Sequence, residues 1–569
     1  MALAAILYLN YDAWVHDYDA VLPAPVATPV GTASPGSLGD RVPSVASSGT
    51  NATPATQVPN ETAAAGATAP GSSPVSASGA ALAPASDAGG AADRVHVTTD
   101  VLDLTINLRG GELDQADLPK YPLHKDRPDV PVVLLNRDPS TLFVLQTGLA
   151  DEGAATPDHH ALWSAAASSY ELENGVDTVR VPLTWTDGHG LTVTKTFVFR
   201  RGWYAFDLTY DVLNQSDSPR KLASYSQILR HWEHASRSYF DVETYSFKGP
   251  AVWDGTKSRD LKVEDAEDKQ YSATVTNGWI AALQHHFVAA IVPPPNEAFK
   301  IQLEVDNNQY LLSATGPMLT VPAGGQTRFT EKLFVGPKLQ SQLAATGPSL
   351  ERAADYGRLT VIAEPLFALL NQVHRLTGNW GWSIIIVTAL IKLIFYPLSQ
   401  ASGRSMAKMR SVGPRMKQIQ DTFKDDREKL GRAMMDLYKK EKINPLAGCL
   451  PMVVQIPVFI SFYWVLLESV EMRQAPFLLW VNDLSSRDPY FVLPLLMGGA
   501  MFAQFKLNPA PPDPMQAKIM QFMPLVMTGM MAWFPAGLVL YWLTNTVLSI
   551  AQQWRVNQVV QAEANKKRA

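Results

Sequence analysis

The run WGWSIIIVTALIKLIFYPLS, residues 380–399, constrains the fold more than any other stretch. A helix needs about twenty mostly apolar residues to cross the hydrocarbon core of a bilayer, and this run has that length. It also carries a full positive charge, Lys392, near its far end. A lysine inside a membrane helix costs roughly 2.5–3.5 kcal/mol on insertion scales and marks a functional site by default. Helical spacing puts Thr388 one turn before Lys392 and Tyr396 one turn after it, so the three form one polar stripe. The plainer alternative is that Lys392 snorkels to a nearby cytoplasmic surface.

The chain of 569 residues is too long for one ordinary domain. Its mean hydropathy near zero conceals a polar N-terminal two-thirds and a very apolar C-terminal third. The net charge of −5 gives no reason to expect a specific nucleic acid partner. Cys449 is the only cysteine, so an intramolecular disulfide or a cysteine-based metal cluster is excluded. Residues 1–21 open with MALAAILYLNYDAW and read as a signal anchor, a shortened first transmembrane helix. Residues 22–92 are dominated by Ala, Pro, Ser, Thr and Gly, and such a segment forms a disordered linker. Its Asn51 and Asn60 sequons are expected by chance in that composition.

Residues 93–348 change character. Segments such as TVRVPLTWTD and LTVTKTFVFRRGWYAFDLTYDVLN alternate apolar and polar residues, punctuated by turn signals at Gly110-Gly111, Asp187-Gly188 and Asn307-Asn308. They predict a large antiparallel β-sandwich. Its histidines, His231, His234, His285 and His286, lack metal-ligand spacing and read as structural or surface residues. In 349–379, Leu366, Leu369, Leu370, Val373 and Leu376 recur at three- and four-residue spacing. That is an amphipathic helix lying along the membrane boundary, or else packed against the sandwich.

Residues 380–569 read as a five-helix core with a hairpin at 404–444. A dozen Lys and Arg residues keep that hairpin cytoplasmic. Met406, Met409 and Met416 line its first helix, interrupted at Gly413-Pro414; Leu430, Met434 and Tyr438 line its second. A methionine-rich face suits adaptable binding of apolar partners, and simple packing of the two helices on each other is the alternative. Four further spans follow at 450–467, 490–505, 519–534 and 537–552, with an outer segment at 468–489. Counting the first, six transmembrane helices leave both ends cytoplasmic. Gln455, Tyr541, Asn545 and Gln552 are polar residues within these spans, and with Lys392, Thr388 and Tyr396 they can line a groove that faces protein or water. Each alone is interhelical glue as readily as site.

The motifs YPLSQASGRSMAKMR, YKKEKINPLAGCLPMVVQIPVF, VEMRQAPFLLWVNDLS, DPMQAKIMQFMP and FPAGLVLYW, spread over 396–542, make the C-terminal third similar to the YidC membrane protein insertases of Gram-negative bacteria, relatives of the Oxa-type and Albino-type insertases. The resemblance implies six spans, a periplasmic β-supersandwich and a cytoplasmic hairpin. It implies a hydrophilic groove open to cytoplasm and lipid, and no catalysis, cofactor or metal. Nascent membrane proteins, the Sec translocon, the ribosome and its targeting factors, and the bilayer are the implied partners. The family's groove arginine falls on Lys392, which keeps the charge and loses the guanidinium fork. Its client-contact positions fall on Thr388 and on Trp542, an aromatic without the usual tyrosine hydroxyl. A small-molecule transporter or channel with Lys392 as anion site is the competing reading, although no internal repeat is visible. A sugar-binding or sugar-modifying sandwich is a third, with no acid/base pair to carry it.

Overall fold

The computed structural model describes residues 37–43, 93–151, 156–232, 246–354, 356, 359–423, 426–441, 450–507 and 514–566. The expected anchor at 1–21, most of the linker with both sequons, and His234 lie outside the described residues. Within residues 1–41, a separate unit, Leu38–Asp40 forms one 3₁₀ turn closed by the Ser37 hydroxyl donating to Asp40 at 2.7 Å.

Period-two alternation becomes strand wherever one face is covered. In Leu191–Arg200 and Ala205–Asn214 alternate side chains are buried, and Leu208 lies opposite Phe197 on one side and Glu331 on the other. Among the described residues, twenty strands between Arg94 and Pro337 assemble into an eleven-stranded and a nine-stranded sheet. Every pairing is antiparallel except that of Arg94–Thr98 with Ser169–Glu171. Leu104, Leu145, Ile228 and Leu312 from the first sheet share one core with Val193, Phe197, Leu208 and Leu333 from the second. Trp279–Leu283 and Phe287–Val292 are apolar throughout and buried throughout. Helix α1 (Gln340–Thr346) and the turn Leu350–Ala353 add Leu343, Leu350 and Ala353 to the same core.

Strict alternation also forces one lysine inward. Lys195 is fully buried, and its ammonium donates to the carbonyls of Gly110, Gly111 and Thr147 at 3.1, 2.6 and 3.2 Å. The rings of Trp163, Phe197 and Tyr210 surround it at 5.4–5.6 Å. Gly111 has a left-handed backbone, and a Cβ there would press on the Lys195 side chain.

The sandwich is tied to the helical part by polar contacts around residues 467–474. Arg473 donates to the carbonyls of Pro122 and Leu123, and the Gln474 amide donates to Pro122. His285 Nε2 donates to the Leu467 carbonyl at 2.9 Å, and Glu468 meets Lys338 at 3.9 Å and the Ser246 hydroxyl at 3.2 Å. Tyr356 and Ser469 hydroxyls lie 3.3 Å apart. His285 and His286 are therefore buried parts of this junction, stacked at 3.8 Å, and among the described residues no cluster of metal-ligating groups forms.

The helical part runs α2 (Thr360–Thr377), α3 (Trp380–Ile394), α4 (Tyr396–Ser411), α5 (Gly413–Thr422), α6 (Arg427–Lys440), α7 (Leu450–Glu468), α8 (Val492–Leu507), α9 (Pro514–Met531) and α10 (Ala536–Lys566). Gly378, left-handed, ends α2, and Asn379 caps α3 by accepting from the Trp382 amide at 3.2 Å. The buried face of α2 is Ala363, Leu366, Phe367, Leu370 and Val373, packed among the other helices with Trp380, Ile384 and Phe462. Leu376 is 81% exposed, so the apolar stripe ends one turn earlier than the spacing suggests.

One expectation about the spans needs correction. The run 380–399 is not one straight helix: α3 and the start of α4 meet at Phe395 with a bend of 63°. Pro397 has no N–H to return to the Leu393 carbonyl, so the helix stops and restarts with proline in the new first turn. The helix that contains the span expected at 537–552 continues to Lys566. Among the described residues no single helix is long and apolar enough to cross a membrane, although the α3–α4 pair together is. Helix α8, with 16 residues, rises about 24 Å against a hydrocarbon core of about 30 Å. Even so, Leu390, Leu393, Ile394, Leu495, Phe522, Leu525 and Val526 project outward from α3, α8 and α9 as an exposed apolar surface, which suits lipid.

In the hairpin, Val412, Met416 and Leu437 form a small core joined by Ile419, Met434 and Tyr438. Met416, Met434 and Tyr438 thus face each other between α5 and α6. Leu430 is half-buried and Met435 is exposed. The side chains of Met406 and Met409 lie outside the described residues.

Candidate functional site

Five helices line a cavity of about 390 Å³. Helix α3 supplies Lys392, and the bend at Phe395 brings Ser399, Ser402 and Gly403 of α4 to the same space. Helix α7 adds Gln455 and Phe459, and Met501 and Gln504 come from α8. Helix α10 presents Tyr541, Trp542, Asn545, Ser549, Gln552 and Gln553, a face generated by three- and four-residue spacing.

The polar groups form a chain. Lys392 Nζ donates to Ser549 Oγ at 2.7 Å, and Ser549 Oγ donates to the Asn545 carbonyl at 2.7 Å. The Asn545 side-chain oxygen accepts from Gln455 Nε2 at 2.5 Å. Among the described residues no aspartate or glutamate lines the cavity and no carboxylate pairs with Lys392. The Tyr541 hydroxyl and the Gln552 amide nitrogen are buried without a partner among the described residues. Buried polar groups in folded proteins are nearly all paired, so an unpaired one at a cavity wall is unusual. Around them, Tyr541 stacks on Phe462 at 4.4 Å and Trp542 stands edge-on to Phe459 at 4.7 Å.

A second cavity of about 330 Å³ lies alongside and is almost wholly apolar. Phe459 and Trp542 belong to both, and Ile460, Tyr463, Met527, Met530, Met531 and Phe534 complete the apolar one.

Of the residues singled out in the sequence, Lys392, Gln455, Tyr541, Trp542 and Asn545 meet at the polar cavity. Thr388 and Tyr396 do not line it. Thr388 is 1% exposed and its hydroxyl is spent on the Ile384 carbonyl at 2.6 Å, and the bend takes Tyr396 off the Lys392 face. Ser549 was legible, since it lies four residues after Asn545 on a face already marked by Tyr541 and Gln552. Ser399, Ser402 and Gln504 had no such signal, because the bend and the packing of α8 bring them in.

A β-sandwich docked on a bundle of helices with an exposed apolar surface, and a polar cavity among those helices lined by Lys392, together have the make-up of an integral membrane protein. The profile of the YidC periplasmic domain matches residues 94–369, and that of the 60Kd inner membrane protein family matches residues 372–564. The chain is 45% identical to the membrane protein insertase YidC of Thioalkalivibrio sulfidiphilus over 100% of its own length and 98% of that protein. It is 48% identical to the insertase of the same name from Methylococcus capsulatus over 84% of this chain and 87% of that one. A solved crystal structure of an active YidC insertase with its first transmembrane domain resolved aligns over 81% of this chain and 92% of that chain, at 18% identity and a TM-score of 0.36. The chain belongs to the YidC family of membrane protein insertases.

Proposed function

We propose that this inner-membrane insertase works through the cavity around Lys392. The observation that carries the reading is a single ammonium, bound to a hydroxyl and facing no carboxylate, at the wall of a cavity lined by amides and hydroxyls. An acidic translocated segment of a client is attracted to that charge, and in a low-dielectric setting the attraction is several times its value in water. Gln455, Asn545, Tyr541 and Gln552 replace part of the segment's lost water contacts. The adjoining apolar crevice receives the hydrophobic neighbour of that segment before it passes into lipid. Burial of that neighbour supplies about 25 cal/mol per Å² to drive the step.

The same reading places both chain ends and the hairpin at 404–444 in the cytoplasm, with six spans counting the one at 1–21. The dozen basic residues of the hairpin support this orientation. There the hairpin meets the ribosome or targeting factors, and nascent membrane proteins enter alone or handed over by the Sec translocon. Because its methionines Met416 and Met434 pack inward, the hairpin presents charge and Met435 to those partners.

Insertion into proteoliposomes tests the proposal. Lys392→Ala lowers insertion of clients with acidic translocated tails about tenfold, the factor that corresponds to 1.4 kcal/mol of lost attraction, and Lys392→Arg retains it. Equal insertion by wild type and both variants removes Lys392 from the mechanism.

A further inference from the structure

The neighbour of Lys392 has a constrained hydrogen-bond inventory. A serine hydroxyl has one proton to give and two lone pairs with which to accept. The Ser549 proton is committed to the Asn545 carbonyl one turn earlier on α10. Its oxygen is left as an acceptor only, and the group that donates to it is Lys392 Nζ at 2.7 Å. An ammonium has three protons, so this bond occupies one and leaves two for a guest in the cavity. Without it, the flexible four-carbon stem has no fixed end, and a half-buried lysine on a bent helix is free to swing toward the nearest polar surface.

The face of α10 that carries Ser549 is itself held. Gln455 of α7 donates to the Asn545 side chain, while the Asn545 main chain receives Ser549. The chain Gln455–Asn545–Ser549–Lys392 therefore links α7, α10 and α3, the three helices that carry these polar cavity residues.

We infer that Ser549 is a positioning residue for the client-facing charge, holding the Lys392 ammonium inside the cavity so that two of its protons face the client. This inference rests on the reading of Lys392 given above. Threonine at 549 preserves both the back-bond and the acceptor, whereas alanine removes both and leaves the charge in place.

The test uses the full-length protein in proteoliposomes, with one client carrying an acidic translocated tail and a matched client carrying a neutral tail. Ser549→Ala lowers insertion of the acidic-tailed client about five- to tenfold, the loss of one ordinary hydrogen bond and no more than the loss from removing the charge itself. Neutral-tail insertion stays within about twofold, and Ser549→Thr restores the acidic-tail rate. In a Lys392→Ala background, Ser549→Ala has no further effect on the acidic-tailed client, because residues acting as one unit are not additive. Loss of both clients alike, an unchanged acidic-tail rate, or an additive loss in the Lys392→Ala background overturns the inference. If Lys392→Ala alone leaves acidic-tail insertion intact, the broader reading of Lys392 fails, and this is read from a different variant.

Discussion

Lys195 and Lys392 show how the same side chain is put to different use by its surroundings. The Lys195 ammonium is saturated by three carbonyls and three aromatic rings inside the sandwich, and burial pushes its pKa well below the ordinary lysine range. Nothing can approach it, so its role is to satisfy the Gly110–Gly111 turn and the Thr147 strand. Lys195→Met leaves those three carbonyls unpaired and lowers unfolding stability by about 2–4 kcal/mol, measured by denaturant unfolding of the detergent-solubilised chain. Lys392, by contrast, has one neutral partner and an open cavity in front of it. The difference lies in the neighbours, and neither lysine's local sequence reveals it.

Among the elements, the bend at Phe395 has the largest consequence, since it carries the serines of α4 to the Lys392 cavity and turns Tyr396 away. Proline and the apolar period of α3 were both visible in the chain, but period alone cannot say whether a proline kinks a helix or ends it. Close approach of α8 and α9 depends on a missing side chain. A Cβ on Gly498 would lie 2.0 Å from Thr528 Oγ1 and within 3.3 Å of the rest of that side chain, so rotating the threonine gives no relief. Gly499, its neighbour, meets nothing within 4 Å. Gly498→Ala therefore destabilises the helical part by about 1–3 kcal/mol through overpacking. Gly499→Ala stabilises it by about 0.5 kcal/mol through helix propensity, and thermal unfolding in detergent separates the two signs.

For the whole molecule, the junction between sandwich and helices is the part built against its own electrostatics. Glu471 has a carboxylate oxygen buried without a partner among the described residues, and burial pushes its pKa up to about 7 from the ordinary 4.5. Between those values the folded protein holds a proton that the unfolded chain releases, so this residue makes stability fall as pH rises from 4.5 to 7. His285 and His286 are pushed down to about 4 and about 2 by burial, and they make stability fall in the other direction, as pH drops below about 6.5. Glu471→Gln removes only the first effect. It matches wild type near pH 4 and has the higher unfolding temperature at pH 7.5, measured by tryptophan fluorescence across that range; a constant offset at every pH would exclude Glu471 as the source. Sequence by itself determined the β-rich and helical halves, the lysine within the apolar run 380–399, the polar face of α10 and the pair of helices in 404–444, because alternation, helical spacing and charge are local properties of the chain. Only the tertiary structure decided that Thr388 is sealed, that Lys392 meets Ser549, and that polar and apolar cavities share a wall. Each depends on which residues distant in sequence are pressed together, and that is a property of packing, which no local pattern records.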